Sequence, residues 1–199
     1  MIFHSNQVIF ITGRRRSGKS YLAVNLFFRQ LPRVILHDRK HEHSGYKAVY
    51  CHTPNEVLSA WNQHHEKIVY QPYDPSVEDF NELCRLIFYH GNTTLMVDEA
   101  ASYSAPMILP HWYGELIRLG TIRGIGVISL SQRPRALANT IISEADFIIA
   151  FQLQLETDRH KVAETVGPEA EKLNTIPKYH FLLYNSYEGV TWHTPIRVR

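Results

Sequence analysis

The sequence Gly13-Arg14-Arg15-Arg16-Ser17-Gly18-Lys19-Ser20 has the pattern G-x-x-x-x-G-K-S. This pattern is the strongest indication of the fold. It follows the apolar run Q-V-I-F-I-T (7–12) and precedes a segment of helical character. Glycines allow backbone N–H groups to turn inward around an anion, and the N-terminus of a following helix presents further free N–H groups. The stretch therefore predicts a strand, a phosphate-binding loop and a helix, in that order.

The residues of this loop have separate expected roles. Lys19 is expected to reach the outer phosphates of a nucleotide, and Ser20 to offer its hydroxyl to Mg²⁺. The three arginines either help to hold phosphates or are solvated loop residues, and we favour the second interpretation. The alternative for the whole motif is a glycine-rich turn with a surface lysine. The predicted nucleotide-binding segment comprises Gly13, Arg14, Arg15, Arg16, Ser17, Gly18, Lys19, Ser20 and Tyr21.

A second apolar run, T-L-M-V (94–97), ends in the acidic pair Asp98-Glu99. At nucleotide sites of this kind the first acid holds Mg²⁺, here together with Ser20. The second acid can act as general base on the water that attacks the γ-phosphate. An apolar strand followed by two acids is common, so the prediction depends on its pairing with the phosphate loop. The pair is typical of ATPases with an extra strand between the loop and the acids, for which segments 33–37 and 67–71 are candidates.

A third apolar run, 126–130, leads into Ser131-Gln132-Arg133-Pro134. A polar residue at this strand end is expected to lie beside the acidic strand. Gln132 is therefore a candidate for detecting the γ-phosphate. The alternative is a strand-end residue that satisfies loop backbone groups.

Segments rich in β-branched and aromatic residues alternate with helical patterns along the whole chain, which indicates an α/β fold with a mainly parallel sheet. The closing segments 179–184 and 190–193 predict a C-terminal β-hairpin. We find no linker or repeat and expect one domain over residues 1–199.

The formal charge of +2 is too small to argue for nucleic-acid binding by itself. No apolar run approaches the ~20 residues of a membrane span.

The run from Arg118 through Gly120, Gly124 and Gly126 to Ser131-Gln132-Arg133-Pro134 resembles the FtsK–HerA superfamily of DNA-pumping ATPases. The segment 38–42, D-R-K-H-E, resembles the D-x-K-x-E segment of that family, and parts of 145–164 are similar too. The resemblance spans most of the chain, and the S-Q-R-P ending is its most selective part. It implies a RecA-like P-loop NTPase fold of the additional-strand type, with helices flanking the sheet.

The resemblance also implies an arginine that reaches into the ATP site of a neighbouring subunit. The family often has this arginine directly after the glycine that matches Gly120, where this chain has Thr121. Arg118 is then the preferred candidate and Arg123 the next. The alternative is a surface arginine lying along a helix.

Among members of the family, a short motor domain is similar to the genome-packaging ATPases of icosahedral viruses with an internal membrane and a double jelly-roll capsid. This resemblance implies ATP hydrolysis with Mg²⁺, coupled to moving double-stranded DNA into a preformed capsid. It implies a homo-oligomeric ring, expected to be a hexamer, and capsid or portal-vertex proteins as partners. The expected location is the host cytoplasm and the packaging vertex. The DNA contacts are expected to be to phosphates, whatever the sequence. Segments 37–44 and 101–110 are candidate pore loops, with Tyr103 as the candidate DNA contact. The alternative, which we favour for each segment alone, is a plain surface loop.

Three other functions have compatible motifs. The first is DNA translocation for a plasmid or another mobile element, with the same site and a different partner. The second is a nucleotide-dependent morphogenesis or assembly ATPase, for which DNA-stimulated turnover would be unexpected. The third is a small-molecule kinase, which the acidic pair and the absence of an arginine-rich lid disfavour.

Overall fold

A nine-stranded sheet forms the centre of the computed structural model, which describes residues 3–196. In space the strands follow the order β3-β4-β2-β5-β6-β1-β7-β8-β9. All neighbours from β3 to β7 run parallel, whereas β8 pairs antiparallel with β7 and with β9. The strands are β1 (Val8–Thr12), β2 (Val34–His37), β3 (Val49–Cys51), β4 (Lys67–Tyr70), β5 (Thr94–Val97), β6 (Gly126–Ser131), β7 (Phe147–Ala150), β8 (Phe181–Asn185) and β9 (Gly189–His193).

In the described part of the chain, six α-helices connect the strands, together with short 3₁₀ turns. Two of the helices begin at hydroxyl caps, where Thr53 and Ser76 accept from the backbone N–H groups of Glu56 and Asp79. No helix within residues 3–196 has both the length and the apolar character of a membrane span. The helices are α1 (Lys19–Ala23, continued as a π-helical turn over Val24–Phe28), α2 (Pro54–Asn62), α3 (Val77–His90), α4 (His111–Leu119), α5 (Asn139–Ser143) and α6 (Glu156–Val166).

The core lies on both faces of the sheet. Val8 and Phe10 of β1 belong to one cluster of buried side chains, and Ile9 and Ile11 belong to the other. Successive side chains of a strand point to opposite faces, and a parallel sheet is covered on both. This arrangement explains why β1, β5 and β6 appear in the sequence as uninterrupted buried runs.

The parallel pairing brings the carboxyl ends of three central strands to one edge. Thr12 at the end of β1 is paired with Ser131 at the end of β6, and Val97 at the end of β5 is paired with Ser129. The segments that follow these strands therefore meet at this edge, as ligand-binding segments do in open α/β sheets.

The predicted extra strand is present, but both candidates for it were wrong. The strand between β1 and β5 is β6, whereas segments 33–37 and 67–71 form β2 and β4 on the far side of β5. Crossover connections let strands that are distant in the chain become neighbours, so chain order did not reveal the position. The C-terminal hairpin and the mainly parallel α/β sheet are confirmed.

Candidate active site

The phosphate loop connects β1 to α1 in a backbone conformation that requires glycine at two positions. Gly13 has φ 149° and Gly18 has φ 107°, values that residues with a Cβ rarely adopt. A Cβ on Gly13 would also lie 2.6 Å from the Cβ of Phe151. The lysine of the loop is turned inward, because Lys19 Nζ donates to the carbonyl oxygens of Gly13 at 2.7 Å and Arg14 at 3.1 Å.

Lys19 is buried, and burial lowers its pKa to about 8, against the partly opposing effect of the carboxylates of Asp98 and Glu99. An anion placed next to the ammonium group would restore its preference for the charged form. The loop is therefore built around a cation that lacks a fully compensating anion of its own. A nucleotide phosphate would supply that anion.

The acidic pair follows β5 directly, and its two side chains have different partners. Asp98 Oδ2 lies 2.7 Å from His43 Nε2. Glu99 Oε2 accepts from Lys40 Nζ at 3.0 Å and from Gln132 Nε2 at 2.9 Å. Glu99 has φ 68°, a left-handed conformation that is uncommon for a residue other than glycine, asparagine or aspartate. This backbone bend directs the two neighbouring carboxylates towards different partners.

A segment that follows β2 crosses the acidic pair and is held there by one buried carboxylate. Asp38 accepts from the backbone N–H groups of Glu42 at 3.1 Å and His43 at 2.8 Å, and from Gln71 Nε2 at 2.8 Å. Burial alone would lower the pKa of His43, but the hydrogen bond and negative charge of Asp98 outweigh it and raise that pKa. Sequence reasoning did not assign Lys40 or His43 to the site, although the D-x-K-x-E segment was the available signal.

These groups enclose a polar cavity of about 550 Å³, which we call the phosphate cavity. Ser20 and Asp98 both line it, so a hydroxyl and a carboxylate oxygen are available together, which are ligand types that Mg²⁺ prefers. Arg14, Arg15 and Arg16 are exposed, and Arg15 and Arg16 line the cavity, so solvated loop residues and phosphate ligands both remain open for these two. Its lining comprises Arg15, Arg16, Lys19, Ser20, Asp38, Arg39, Lys40, Glu42, Asp98, Glu99, Leu130, Ser131 and Gln132.

A second, apolar pocket of about 370 Å³ is lined by Gly18, the residue directly before Lys19, and we call it the aromatic pocket. Tyr21 of α1 lines it, together with aromatic residues from distant parts of the chain. Tyr179 has φ 67°, an unusual conformation for a bulky residue, and its ring remains partly exposed beside the loop. The lining comprises Gly18, Tyr21, Leu22, Phe151, Tyr179, Phe181, Pro195 and Ile196.

The two candidate finger arginines have different surroundings. Arg123 donates to the carbonyl oxygens of Phe88 at 2.6 Å and Tyr89 at 3.3 Å, and its guanidinium lies 4.9 Å from the Phe88 ring centre. It therefore holds the C-terminal turn of α3. Arg118, at the end of α4, is half-exposed and is 3.7 Å from the carboxylate of Glu115 in the preceding turn. Of the two side chains, that of Arg118 makes the weaker contacts with its own chain.

Tyr103 does not have the exposed position that a DNA contact would require. Its side chain is buried, because the ring stacks on Phe80 with centroids 4.1 Å apart. The same segment exposes Met107 and Ile108 instead, at the tip closed by the bridge between Ala105 and Ile108. The other candidate pore segment begins at His37, which is fully buried, and continues into the phosphate cavity.

A phosphate loop after β1, an acidic pair after β5 and the strand β6 between them define the chain as a P-loop NTPase of the additional-strand type. No protein-family model matches the chain. It is 35% identical over 127 residues to the DNA packaging ATPase P9 of Enterobacteria phage PRD1, a match that covers 59% of this chain. The chain spans about half the length of that relative, 54%.

Solved structures extend the likeness to the whole chain. The genome packaging NTPase B204 of Sulfolobus turreted icosahedral virus 2, in complex with AMPPCP, matches with a TM-score of 0.82 and 25% identity, covering 98% of this chain and 100% of that one. The pCW3 conjugation coupling protein TcpA shares the fold, with a TM-score of 0.64 at 14% identity over 94% of this chain and 60% of that one. The chain is thus similar in sequence to a viral DNA packaging ATPase, and in sequence and fold to a viral genome packaging NTPase, which agrees with the resemblance that its motifs carry.

Proposed function

We propose that this chain hydrolyses ATP and uses the reaction to move double-stranded DNA during the packaging of a viral genome. The observation that carries the proposal is the meeting of Lys19, Asp98, Glu99 and Gln132 in one cavity at the carboxyl edge of the sheet. It is supported by the likeness to a packaging ATPase in sequence and to a packaging NTPase in structure.

The phosphate end of the nucleotide would occupy the phosphate cavity. The backbone N–H groups of the loop and the ammonium of Lys19 would hold the β- and γ-phosphates. Ser20 and Asp98 would hold Mg²⁺, directly or through water, with His43 orienting the Asp98 carboxylate. Mg²⁺ would neutralise part of the charge that develops on the phosphates.

The base end of the nucleotide would occupy the aromatic pocket. Gly18 lines the aromatic pocket and the next residue, Lys19, lines the phosphate cavity, so a nucleotide whose phosphates follow the loop can direct its base towards Tyr21 and Tyr179. An adenine ring has a flat apolar face that stacks on aromatic side chains. The pocket therefore matches a purine base better than a second anionic group.

Hydrolysis would use the second acid of the pair. Glu99 is the candidate general base, because its carboxylate lies in the cavity between the strand ends and can accept a proton from water. Gln132 donates to the same carboxylate and is positioned at the end of β6, so it would lie between the base and the γ-phosphate. This arrangement suits attack by water rather than transfer of a phosphoryl group to a second substrate.

Coupling to DNA would require several chains. We propose a ring, expected to be hexameric, in which residues 1–199 act as one motor domain and Arg118 reaches the site of the neighbouring subunit. An arginine supplied in this way stabilises transition-state charge. The ring would contact DNA phosphates whatever the sequence, and it would meet capsid or portal-vertex proteins in the host cytoplasm or at the packaging vertex.

Displacement of a triplex-forming oligonucleotide from linear double-stranded DNA would test this function. We expect the wild-type chain to displace the oligonucleotide with ATP and Mg²⁺ but not with AMPPCP. A Glu99→Gln variant, which keeps the shape of the side chain, is the matched control and should fail. ATP hydrolysis without displacement would reject translocation and favour a morphogenesis or assembly ATPase.

A further inference from the structure

We propose that Lys40 distinguishes ATP from ADP: it pairs with Glu99 in the nucleotide-free site and moves to the γ-phosphate when ATP binds, which releases the Glu99 carboxylate. The inference rests on the proposed function, since it assigns a further residue to the same ATP site. Nothing in the phosphate-loop motif or the acidic pair requires a lysine at this position. The inference depends instead on the contacts, exposure and anchoring of the segment that follows β2.

The first step concerns the contacts of Glu99. Its Oε2 atom lies 3.0 Å from Lys40 Nζ and 2.9 Å from Gln132 Nε2, so two donors share one carboxylate oxygen. A carboxylate oxygen that already accepts from two donors has less room to accept a hydrogen bond from an attacking water. Without nucleotide, the carboxylate of Glu99, the candidate general base, is therefore held by Lys40 and Gln132.

The second step concerns how easily the ion pair can exchange. The Lys40 side chain is 48% exposed and that of Glu99 21%. Ion pairs at this exposure contribute little to stability, because both charges keep much of their hydration. A terminal phosphate carries more negative charge than one carboxylate, so it would compete well for the ammonium group.

The third step concerns the position of the lysine. Lys40 lines the phosphate cavity together with Lys19, and it lies near enough for its charge to act on Lys19. If Lys19 holds the outer phosphates, the γ-phosphate enters the space that Lys40 and Glu99 share. ADP ends one phosphate earlier and would leave the pair in place.

The fourth step concerns the backbone around Lys40, which stays fixed during the exchange. Asp38 is buried and accepts from the backbone of Glu42 and His43 on the far side of Lys40 in the same segment. The backbone on both sides of Lys40 is thus anchored, whereas the exposed end of its side chain is free to rotate. The exchange requires a change of side-chain rotamer and no movement of the loop.

The test is a double-mutant cycle on nucleotide affinity, measured by isothermal titration calorimetry with Mg²⁺. Wild type, Lys40→Met, Glu99→Gln and the double variant are each titrated with AMPPCP and with ADP. We expect Lys40→Met to weaken AMPPCP binding about tenfold or more, as expected for one charge-assisted hydrogen bond, with ADP affinity changed less than about twofold. Lys40→Arg keeps the charge and should retain most of the discrimination.

The Glu99→Gln variant tests the competition directly. Removing the carboxylate lowers repulsion towards the γ-phosphate in any background, but it also frees Lys40 where that lysine is present. The gain in AMPPCP affinity should therefore be larger with Lys40 than with Met at position 40. Lys47→Met, a change at an exposed lysine of the same loop region, is the control and should leave both affinities unchanged.

Two results would overturn the inference. Equal losses of AMPPCP and ADP affinity in Lys40→Met would mean that the lysine does not detect the γ-phosphate. An identical Glu99→Gln effect in both backgrounds would mean that Lys40 and nucleotide do not compete. Either result, in a wild-type chain that binds and hydrolyses ATP, would leave the proposed function standing. A wild-type chain that binds neither nucleotide would reject both.

Discussion

The phosphate cavity and the aromatic pocket, which neighbouring residues of the phosphate loop line, differ in composition and in origin. The phosphate cavity is lined by charged and amide groups, and these lie next to one another in the chain as short motifs after β1, β2, β5 and β6. The aromatic pocket is lined by rings from α1, the end of β7 and the segment before β8. We propose that the two cavities have different functions. The phosphate cavity would hydrolyse the nucleotide, and the aromatic pocket would add affinity for its base.

The largest expected effect is that of Lys19→Ala, which removes the buried ammonium group of the phosphate cavity. We expect binding of ATP and of inorganic tripolyphosphate to weaken by about 100-fold or more, since a buried charge-assisted contact to phosphate is lost. Calorimetry with both ligands measures the effect, and Lys47→Ala is the control. Unchanged affinity for both ligands would remove the phosphate loop from the account.

Next in size is the effect of Arg118→Ala, which tests whether a neighbouring chain completes the phosphate cavity. We expect normal ATP binding and a turnover lower by about 10³-fold, the range of arginine fingers supplied in trans. Mixing this variant with Lys19→Ala subunits should restore part of the rate, because each variant supplies what the other lacks. Rescue of Arg123→Ala but not of Arg118→Ala would move the role to Arg123, despite its contacts with the end of α3.

A smaller effect is expected from the aromatic pocket. Tyr179→Asn removes the ring while keeping a residue that tolerates the left-handed backbone at φ 67°. We expect ATP affinity to fall about tenfold, the contribution of one base–aromatic stacking contact, with kcat changed less than about twofold. Tripolyphosphate affinity should be unchanged, and Tyr179→Phe should resemble wild type. Equal loss of ATP and tripolyphosphate binding would contradict the division between the two cavities.

The two cavities also differ in how far the sequence predicts them. Asp98, Glu99 and Gln132 could be predicted because each follows an apolar strand in a contiguous motif, and parallel strands bring such ends together. Phe151 and Tyr179 could not, because an aromatic residue after a strand or in a loop has no pattern that separates a pocket from a core. The position of β6 was missed for a related reason, since pairing between strands is a property of the packed sheet.

The position of Lys40 and His43 at the site could be predicted from the sequence only in part. Their segment was noticed through its D-x-K-x-E pattern, but the pattern alone does not say where the side chains point. That depends on Asp38, whose burial and three accepted hydrogen bonds fold the segment over the acidic pair. Burial of a carboxylate that is satisfied by its own loop is not visible in one sequence.

The smallest expected effect concerns His37, which ends β2 directly before Asp38 of the phosphate cavity. The ring is fully buried among Tyr70, Phe80 and Tyr103, and neither of its nitrogens has a hydrogen-bond partner within residues 3–196. Burial lowers the pKa of His37 from 6.5 to about 4. The unfolded chain therefore takes up this proton before the folded chain does, and stability is lost as pH falls from about 6.5 towards 4.

Between pH 7 and pH 5 this difference corresponds to about 2 kcal/mol of unfolding free energy. Urea unfolding at the two pH values, on wild type and His37→Phe, measures it. The variant should lose about 2 kcal/mol less than wild type over this interval. His65→Gln, a change at an exposed histidine, is the control. Equal acid sensitivity in His37→Phe and wild type would show that His37 is not the group responsible.

The most direct test of the account is the steady-state ATPase rate of the purified chain, with and without double-stranded DNA, over a range of protein concentrations. We predict a rate per chain that rises with DNA and with protein concentration, because in the proposed ring a neighbouring subunit completes the active site. The Glu99→Gln variant should bind ATP but turn over about 10²–10³-fold more slowly, as expected for loss of a general base. A rate indifferent to DNA and to protein concentration, or full turnover in Glu99→Gln, would contradict the account.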